Sequence, residues 1–234
     1  VDVGTAPRIP LAAVRLLAPV AAPRKFLAVG LKYTDHCAET GMPQPEFPVF
    51  FNKQVTCIIA SGEPIHVPRA STMVDYEGEL GVVIGRRCRH VPVERALEVV
   101  AGYTIVDDVT VRDWQLRAPT MTIGKSFDTH GPVGPWIVST DEIPDPNRLS
   151  IRTVLNGQVM QDWNTNDMIF DVPTLISFLS ASTKLLPGTV ILTGTPHGVG
   201  AARKPPVFLK AGDSVTIEIE KIGELTNPVV EEKA

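Results

Sequence analysis

Cysteine is scarce in this 234-residue chain and never paired: Cys37, Cys57 and Cys88 lie far apart, with no CxxC spacing. An odd number of scattered thiols argues against a disulfide framework and fits a reducing, cytoplasmic setting. Long apolar runs are absent too, because Arg15, Pro19 and Asp107 break the longest stretches early, which excludes a bilayer-spanning helix. Charge of one sign is also missing. The 22 basic and 26 acidic side chains leave a net charge of −4 and a pI near 5.8. Nothing global therefore attracts nucleic acid or an anionic membrane surface. Repeats, low-complexity tracts and charge runs do not occur, and a 44% hydrophobic content is ample for a packed core.

What the chain has in quantity is punctuation, with 18 glycines and 21 prolines, which points to short strands more than long helices. Residues 1–25 carry four prolines and no sustained period. They are expected to form an N-terminal arm, the remnant of a longer N-terminal region, ahead of one domain over 26–234. Phe26–Val29 reads as a strand ended by Gly30, Phe47–Ile59 as an apolar β-rich stretch, and Val74–Ile84 as one alternating strand. Val93–Val100 reads as a helix ended by Gly102, and Tyr103–Asp108 as a further strand. Residues 151–162 form the clearest hairpin, since Asn156-Gly157 suits a type I′ turn. Pro173 opens a helix with apolar residues at 175, 176 and 179. Thr189–Thr193 and Ser214–Ile222 complete the strands. The expected class is α+β and β-rich, a single domain with a few short helices.

The strongest chemical signal is Asp75-Tyr76-Glu77-Gly78-Glu79-Leu80. On a strand, residues two apart share a face, so Glu77 and Glu79 project together. Two carboxylates about 4 Å apart repel by roughly 4 kcal/mol at an effective dielectric of 20. Inside a domain, one stays protonated or a cation neutralises both; on an edge strand both would sit in water. A third acid, Asp107 or Asp108, ends the next apolar strand. Two glutamates and an aspartate are hard oxygen donors suited to Mg²⁺, Mn²⁺ or Ca²⁺, and no Cys or multi-His cluster favours zinc.

Three further signals are weaker alone. His36 and Glu39 share a face of a short helix spanning Thr34 to Gly41; they form the orienting half of a general-base dyad or an ordinary surface contact. Lys125, in Gly124-Lys125-Ser126-Phe127-Asp128, either steadies a developing enolate or is solvated. Leu192-Thr193-Gly194-Thr195-Pro196-His197-Gly198-Val199-Gly200 is a strand feeding a glycine-rich loop that is neither a P-loop nor GxGxxG. Its Gly194 amide and Thr195 hydroxyl suit a small carboxylate, while His197 reads as part of a structural turn.

Taken in order, Y-T-D-H-C-A-E, D-Y-E-G-E-L, D-V-T-V-R-D-W-Q, G-K-S-F-D and L-T-G-T-P-H-G-V-G resemble the fumarylacetoacetate hydrolase family, over Phe26 to about Val230. The resemblance implies a mixed β-sandwich roll that forms homodimers and binds one Mg²⁺ or Mn²⁺. It implies Glu77, Glu79 and Asp108 as metal ligands, choosing Asp108 over Asp107. His36, Glu39 and Lys125 are the implied catalytic residues, with Gln115, Gly194 and Thr195 on the substrate side. Lys32 stands in the region where the larger, two-domain hydrolases carry a fourth carboxylate, so the resemblance is to the smaller bacterial and mitochondrial branch. That branch includes acylpyruvate and diketo-sugar-acid hydrolases, oxaloacetate decarboxylases and tautomerases, and isomerases of aromatic catabolism. The stretch Arg203–Lys210 is most similar to its oxaloacetate- and diketo-sugar-acid-acting members.

Two enzymatic expectations follow. The first is metal-dependent hydrolysis of a C–C bond in a 2,4-dioxo acid, with water activated by His36 and Glu39. The second uses the same metal–enolate chemistry as an oxaloacetate decarboxylase or tautomerase, or as a 2-hydroxyhepta-2,4-diene-1,7-dioate isomerase. A β-roll that binds a ligand without catalysis is the third, and the joint presence of His36, Glu39 and Lys125 counts against it.

Overall fold

Apolar strands must bury both faces, and here they do so in two curled sheets that share one core. The computed structural model describes residues 4, 6–30, 33, 35 and 43–233. The strands are β1 (Phe26–Gly30), β2 (Val49–Asn52), β3 (Ile58–Ile59), β4 (Ile65–Val67), β5 (Val74–Asp75), β6 (Gly78–Ile84) and β7 (Val100–Asp107). They continue with β8 (Thr110–Val111), β9 (Gly131–Ser139), β10 (Ser150–Leu155), β11 (Gln158–Asn164), β12 (Val190–Leu192), β13 (Ser214–Ile219) and β14 (Gly223–Glu231). One turn of helix, α1 (Arg112–Gln115), and one longer helix, α2 (Val172–Ser182), complete the regular α structure among the described residues. No helix among them is long and apolar enough to cross a membrane.

The larger sheet has seven strands in the order β2-β1-β12-β6-β7-β9-β3, and the second has five in the order β11-β10-β13-β14-β4. Leu80 and Val82 of β6 and Ile105 of β7 meet Ile151, Ile217 and Leu225 of the second sheet. Intervening residues of the same strands, Val83 and Val106, pack with Phe26, Phe51 and Val190 on the opposite face. Helix α2 closes one end: Asp171 Oδ1 caps it by accepting the Thr174 N–H at 2.8 Å, Pro173 sits in its first turn, and Leu175, Ile176 and Leu179 are buried. The chain is thus a mostly β single domain, as its composition implied.

The hairpin turns where expected, with left-handed backbone at both Asn156 (φ 51°) and Gly157 (φ 82°). Other elements differ from the sequence reading. Val93–Val99 is a 3₁₀ helix rather than an α-helix, and β7 begins directly at Val100. Gly102, read as a helix stop, lies inside β7, where a Cβ would fall 2.2 Å from the Val138 carbonyl oxygen; it permits close strand approach. Val74–Ile84 is two strands rather than one, because side chains capture the amides between them. Tyr76 N–H donates to Asp75 Oδ1 (2.9 Å), Glu77 N–H to Asp107 Oδ1 (2.9 Å) and Gly78 N–H to Gln161 Oε1 (3.1 Å). Strands β9 and β14 were not anticipated, and the prolines within them, at 132, 135 and 228, mask their β pattern.

Leu80 is fully buried where the two sheets meet. Leu80→Ala is expected to destabilise the fold by about 2–5 kcal/mol, read as a lower denaturant midpoint in urea unfolding.

Candidate functional site

The break between β5 and β6 delivers acids to one place. Glu77 lies in the break, Glu79 on β6, and Asp108 one residue past β7, its N–H donating to the Glu77 carbonyl at 2.9 Å. All three side chains are buried, and one oxygen from each lies within 4.8 Å of the others. Asp107, the alternative at sequence level, faces elsewhere and uses Oδ1 to hold the Glu77 amide.

Three cations answer these charges. Lys125 Nζ bridges Glu77 Oε2 (2.6 Å) and Asp108 Oδ2 (2.8 Å). Lys53, buried, donates to Asp108 Oδ1 at 2.6 Å and to the backbone carbonyls of His130 (2.9 Å) and Lys125. Arg112 at the start of α1 pairs with Glu77 Oε1 (2.6 Å) and Asp75 Oδ2 (2.7 Å). Glu79 ion-pairs with none of the described residues and accepts the Gly194 N–H at 2.6 Å.

Among the described residues, five buried carboxyl groups, Asp75, Glu77, Glu79, Asp107 and Asp108, thus lie in a region with three cations, which pair with Asp75, Glu77 and Asp108. With all five ionised, the excess of two negative charges would equal the charge of one divalent cation. Burial first, then Asp108 and Glu77, push the Glu79 carboxyl well above its ordinary range, against the opposing pull of Lys125 and the Gly194 amide. Burial likewise raises Asp107 to about 7, despite the Glu77 amide that favours its charge. For Lys125, burial disfavours the charge but Asp108 and Glu77 outweigh it, and the ammonium is held. A trio of buried oxygen donors, with no sulfur or imidazole ligand in the cluster among the described residues, fits a hard divalent cation.

Of the trio, Glu77 lines a cavity of about 610 Å³, a volume suited to a small organic ligand. Its wall is divided. Glu77, Lys125, Arg112, Gln115 and Thr195 supply its polar groups; Phe51, Leu116, Met121 and Val199 are among its apolar ones, and the Lys125 ammonium lies 5.3 Å from the Phe51 ring centroid. Gln115 reaches the wall from α1 and accepts from Arg112 Nη1 at 3.1 Å. Thr195 donates Oγ1–H to the Gly78 carbonyl (3.0 Å) and accepts from Gln161 Nε2 (2.8 Å). The Gly194 amide, expected on the substrate side, is occupied by Glu79. His36 and Glu39, with the short helix expected around them, lie outside the described residues, as does Lys32.

Sequence reasoning did not select Lys53, Arg112, Asp75 or Gln161. Lys53 left a trace as the lone cation in an apolar stretch. Gln161 left none, although its buried amide joins the Gly78 N–H, Thr153 Oγ1, Thr195 Oγ1 and the Pro196 carbonyl. Gly78 allows that convergence, because a Cβ there would lie 2.4 Å from Thr153 Oγ1.

Burial also holds His130 neutral, lowering it to about 4, with Nε2 against the His66 carbonyl at 2.8 Å. As pH falls from about 6.5, the ordinary histidine value, to about 4, the unfolded chain takes up a proton that the folded one refuses. Stability is then lost with acidification, by at most about 1.4 kcal/mol per pH unit. Asp107 acts in the opposite sense, since its raised value adds stability as pH falls from about 7. The His130 contribution is therefore read as a difference: between pH 6.5 and 4, wild type is expected to lose stability relative to His130→Gln in urea denaturation.

The chain's similarities to known proteins agree with this geometry. The family model described as fumarylacetoacetate (FAA) hydrolase C-terminal matches residues 25–230. A mitochondrial oxaloacetate tautomerase of Xenopus laevis is 46% identical over 219 residues, 93% of this chain and 69% of that protein. The crystal structure of 5-carboxymethyl-2-hydroxymuconate delta-isomerase from Mycobacterium smegmatis superposes with a TM-score of 0.86 at 46% identity, over 98% of this chain and 87% of the other. A fumarylacetoacetate hydrolase from psychrophilic Exiguobacterium antarcticum superposes with a TM-score of 0.91 at 41% identity, over 99% and 83%.

Proposed function

The chain belongs to the fumarylacetoacetate hydrolase family, and from that premise we propose that it is a divalent-cation-dependent tautomerase or isomerase of 2-oxo acids, with oxaloacetate the first substrate to test. The observation that carries this reading is the convergence of buried Glu77, Glu79 and Asp108, of which Glu77 lines a cavity together with Lys125 and Arg112. The names of similar proteins, an oxaloacetate tautomerase and a muconate isomerase, favour proton relocation over the C–C hydrolysis that stood first at sequence level.

Glu77, Glu79 and Asp108 would hold Mg²⁺ or Mn²⁺, which when bound supplies the positive charge that makes the enolate form of a 2-oxo acid accessible. The protein's own groups then have distinct tasks. Arg112, fixed by Asp75 and Glu77, and Gln115 beside it present donors toward a substrate carboxylate. Lys125 holds positive charge beside the acids, near where negative charge develops on the substrate. Thr195, locked by Gly78 and Gln161, lines the same cavity. His36, oriented by Glu39, is the proposed proton carrier. It takes a proton from the carbon beside the keto group and returns one to the keto oxygen, a balanced isomerisation with no water consumed. The apolar wall formed by Phe51, Met121 and Val199 limits water near that carbon.

The decisive experiment assays purified protein on oxaloacetate keto–enol exchange and on acylpyruvate cleavage, with Mg²⁺, with Mn²⁺ and with chelator. The expected result is metal-dependent enol–keto exchange that chelator abolishes. Acylpyruvate cleavage without such exchange would overturn the reading in favour of hydrolysis. A second measurement addresses the metal directly. At a cation concentration 100 times Kd, ligation stabilises the fold by about 2.7 kcal/mol, which for a chain of this size raises Tm by roughly 5–10 °C. Glu79→Gln is expected to remove most of that shift.

A further inference from the structure

The loop that follows β12 is tied to the residue that precedes His36. Thr195 and Val199 of this loop line the cavity, whereas His197 between them does not. Its imidazole stands edge-on to Trp163 of β11, with ring centroids 4.5 Å apart and planes at 86°. On its other side, Nδ1 lies 4.0 Å from Asp35 Oδ2. Nδ1 is buried and makes no hydrogen bond among the described residues, so Asp35, at 4.0 Å, is a neighbouring carboxylate rather than a hydrogen-bond partner.

The loop carrying this imidazole is itself fixed. Gln161 Nε2 donates to the Pro196 carbonyl at 2.9 Å and, at 3.5 Å, to that of His197. The ring therefore has a rigid support beneath it (β11 through Gln161) and an aromatic wall beside it. A solvated surface pair would be worth little. This one has the Trp163 ring in place of water on one side, and it joins a cavity-lining loop to the residue before His36.

We propose that His197, itself braced by Trp163, is a positioning residue, which holds Asp35 beside its ring and so sets where the chain carrying His36 begins relative to the Thr195 loop. It touches no reacting atom and acts through Asp35. The kinetic form of the proposal rests on the tautomerase reading above, in which His36 carries the proton.

The test is a double-mutant cycle on Mg²⁺-loaded protein with oxaloacetate, using wild type, His197→Ala, Asp35→Asn and the pair together. Misplacing a proton carrier by an ångström costs up to about 100-fold. Each single variant is therefore expected to lower kcat roughly 10- to 100-fold with KM within about twofold, and the double variant to fall no further than the worse single one. His197→Lys, which places a cation facing Asp35, is expected to retain more kcat than His197→Ala in the wild-type background and not alongside Asp35→Asn. An unchanged kcat in His197→Ala, or single effects that multiply in the double variant, overturns the proposal. Hydrogen exchange supplies a readout independent of activity: amides of residues 33–42 should exchange faster in His197→Ala while those of β6 and β12 do not change. If wild type has no activity on 2-oxo acids, the tautomerase reading fails, and exchange alone decides for His197; equal exchange in the two proteins refutes it.

Discussion

Like charge buried at the ends of β6 and β7 is the constraint on which the rest of the structure depends. Each close pair of carboxylates repels by about 4 kcal/mol at 4 Å and an effective dielectric of 20, and burial adds a desolvation cost to every one. The fold meets this with cations from three separate stretches of chain: Lys53 just beyond β2, Arg112 at the start of α1, and Lys125 before β9. None of these stretches is free to move alone. Lys53 also accepts the task of holding two backbone carbonyls, of Lys125 and His130, so the segment that carries one cation is fixed by another.

The same constraint explains why the sheet opens between β5 and β6. A continuous strand would pair the amides of 76–78 with neighbouring backbone. Here Asp75, Asp107 and Gln161 accept those N–H groups instead, which turns Glu77 toward Glu79 and Asp108 and leaves none of these three amides unmet. Asp75 does the most, because its two oxygens also accept the amides of Gly200 and Ala201, each at 2.8 Å, and pair with Arg112. One aspartate thereby fixes the β5–β6 break, the loop after β12 and the guanidinium at the cavity wall.

What could be read from the sequence was whatever its local pattern encodes. Glu77 and Glu79 sit two apart in an apolar stretch, and Asn156-Gly157 demands left-handed backbone. Pro173 follows a capping aspartate. Each is a short-range signal. What stayed hidden depends on partners distant in the chain: Lys53 meets Asp108 across 55 residues, and Gln161 meets Gly78 across 83. No spacing rule marks a glutamine on an ordinary hairpin strand as the joint between two sheets. β9 was missed for a different reason. Its prolines argue against a strand interior, yet the cores on both sides demand that Val133 and Val138 be buried, and tertiary packing prevails over local preference.

Two protons or one divalent cation would balance the same excess of negative charge, and the two solutions have different chemical consequences. Protons settle on the groups whose charge burial penalises most, Glu79 and Asp107. A protonated Glu79 still fills its place under the Gly194 amide but offers a poorer ligand oxygen. A cation requires Glu79 ionised, and it meets Lys125 as a competitor for Glu77 and Asp108, since one ammonium already bridges the two. Cation, proton and lysine are thus alternatives at a single cluster. A cation held by the acids would compete with the ammonium between them and leave Lys125 to turn its charge toward the cavity it lines, where the proposed 2-oxo acid would bring its own negative charge. The electrostatic problem that shapes the fold would in this way be the same one that places positive charge beside the proposed substrate.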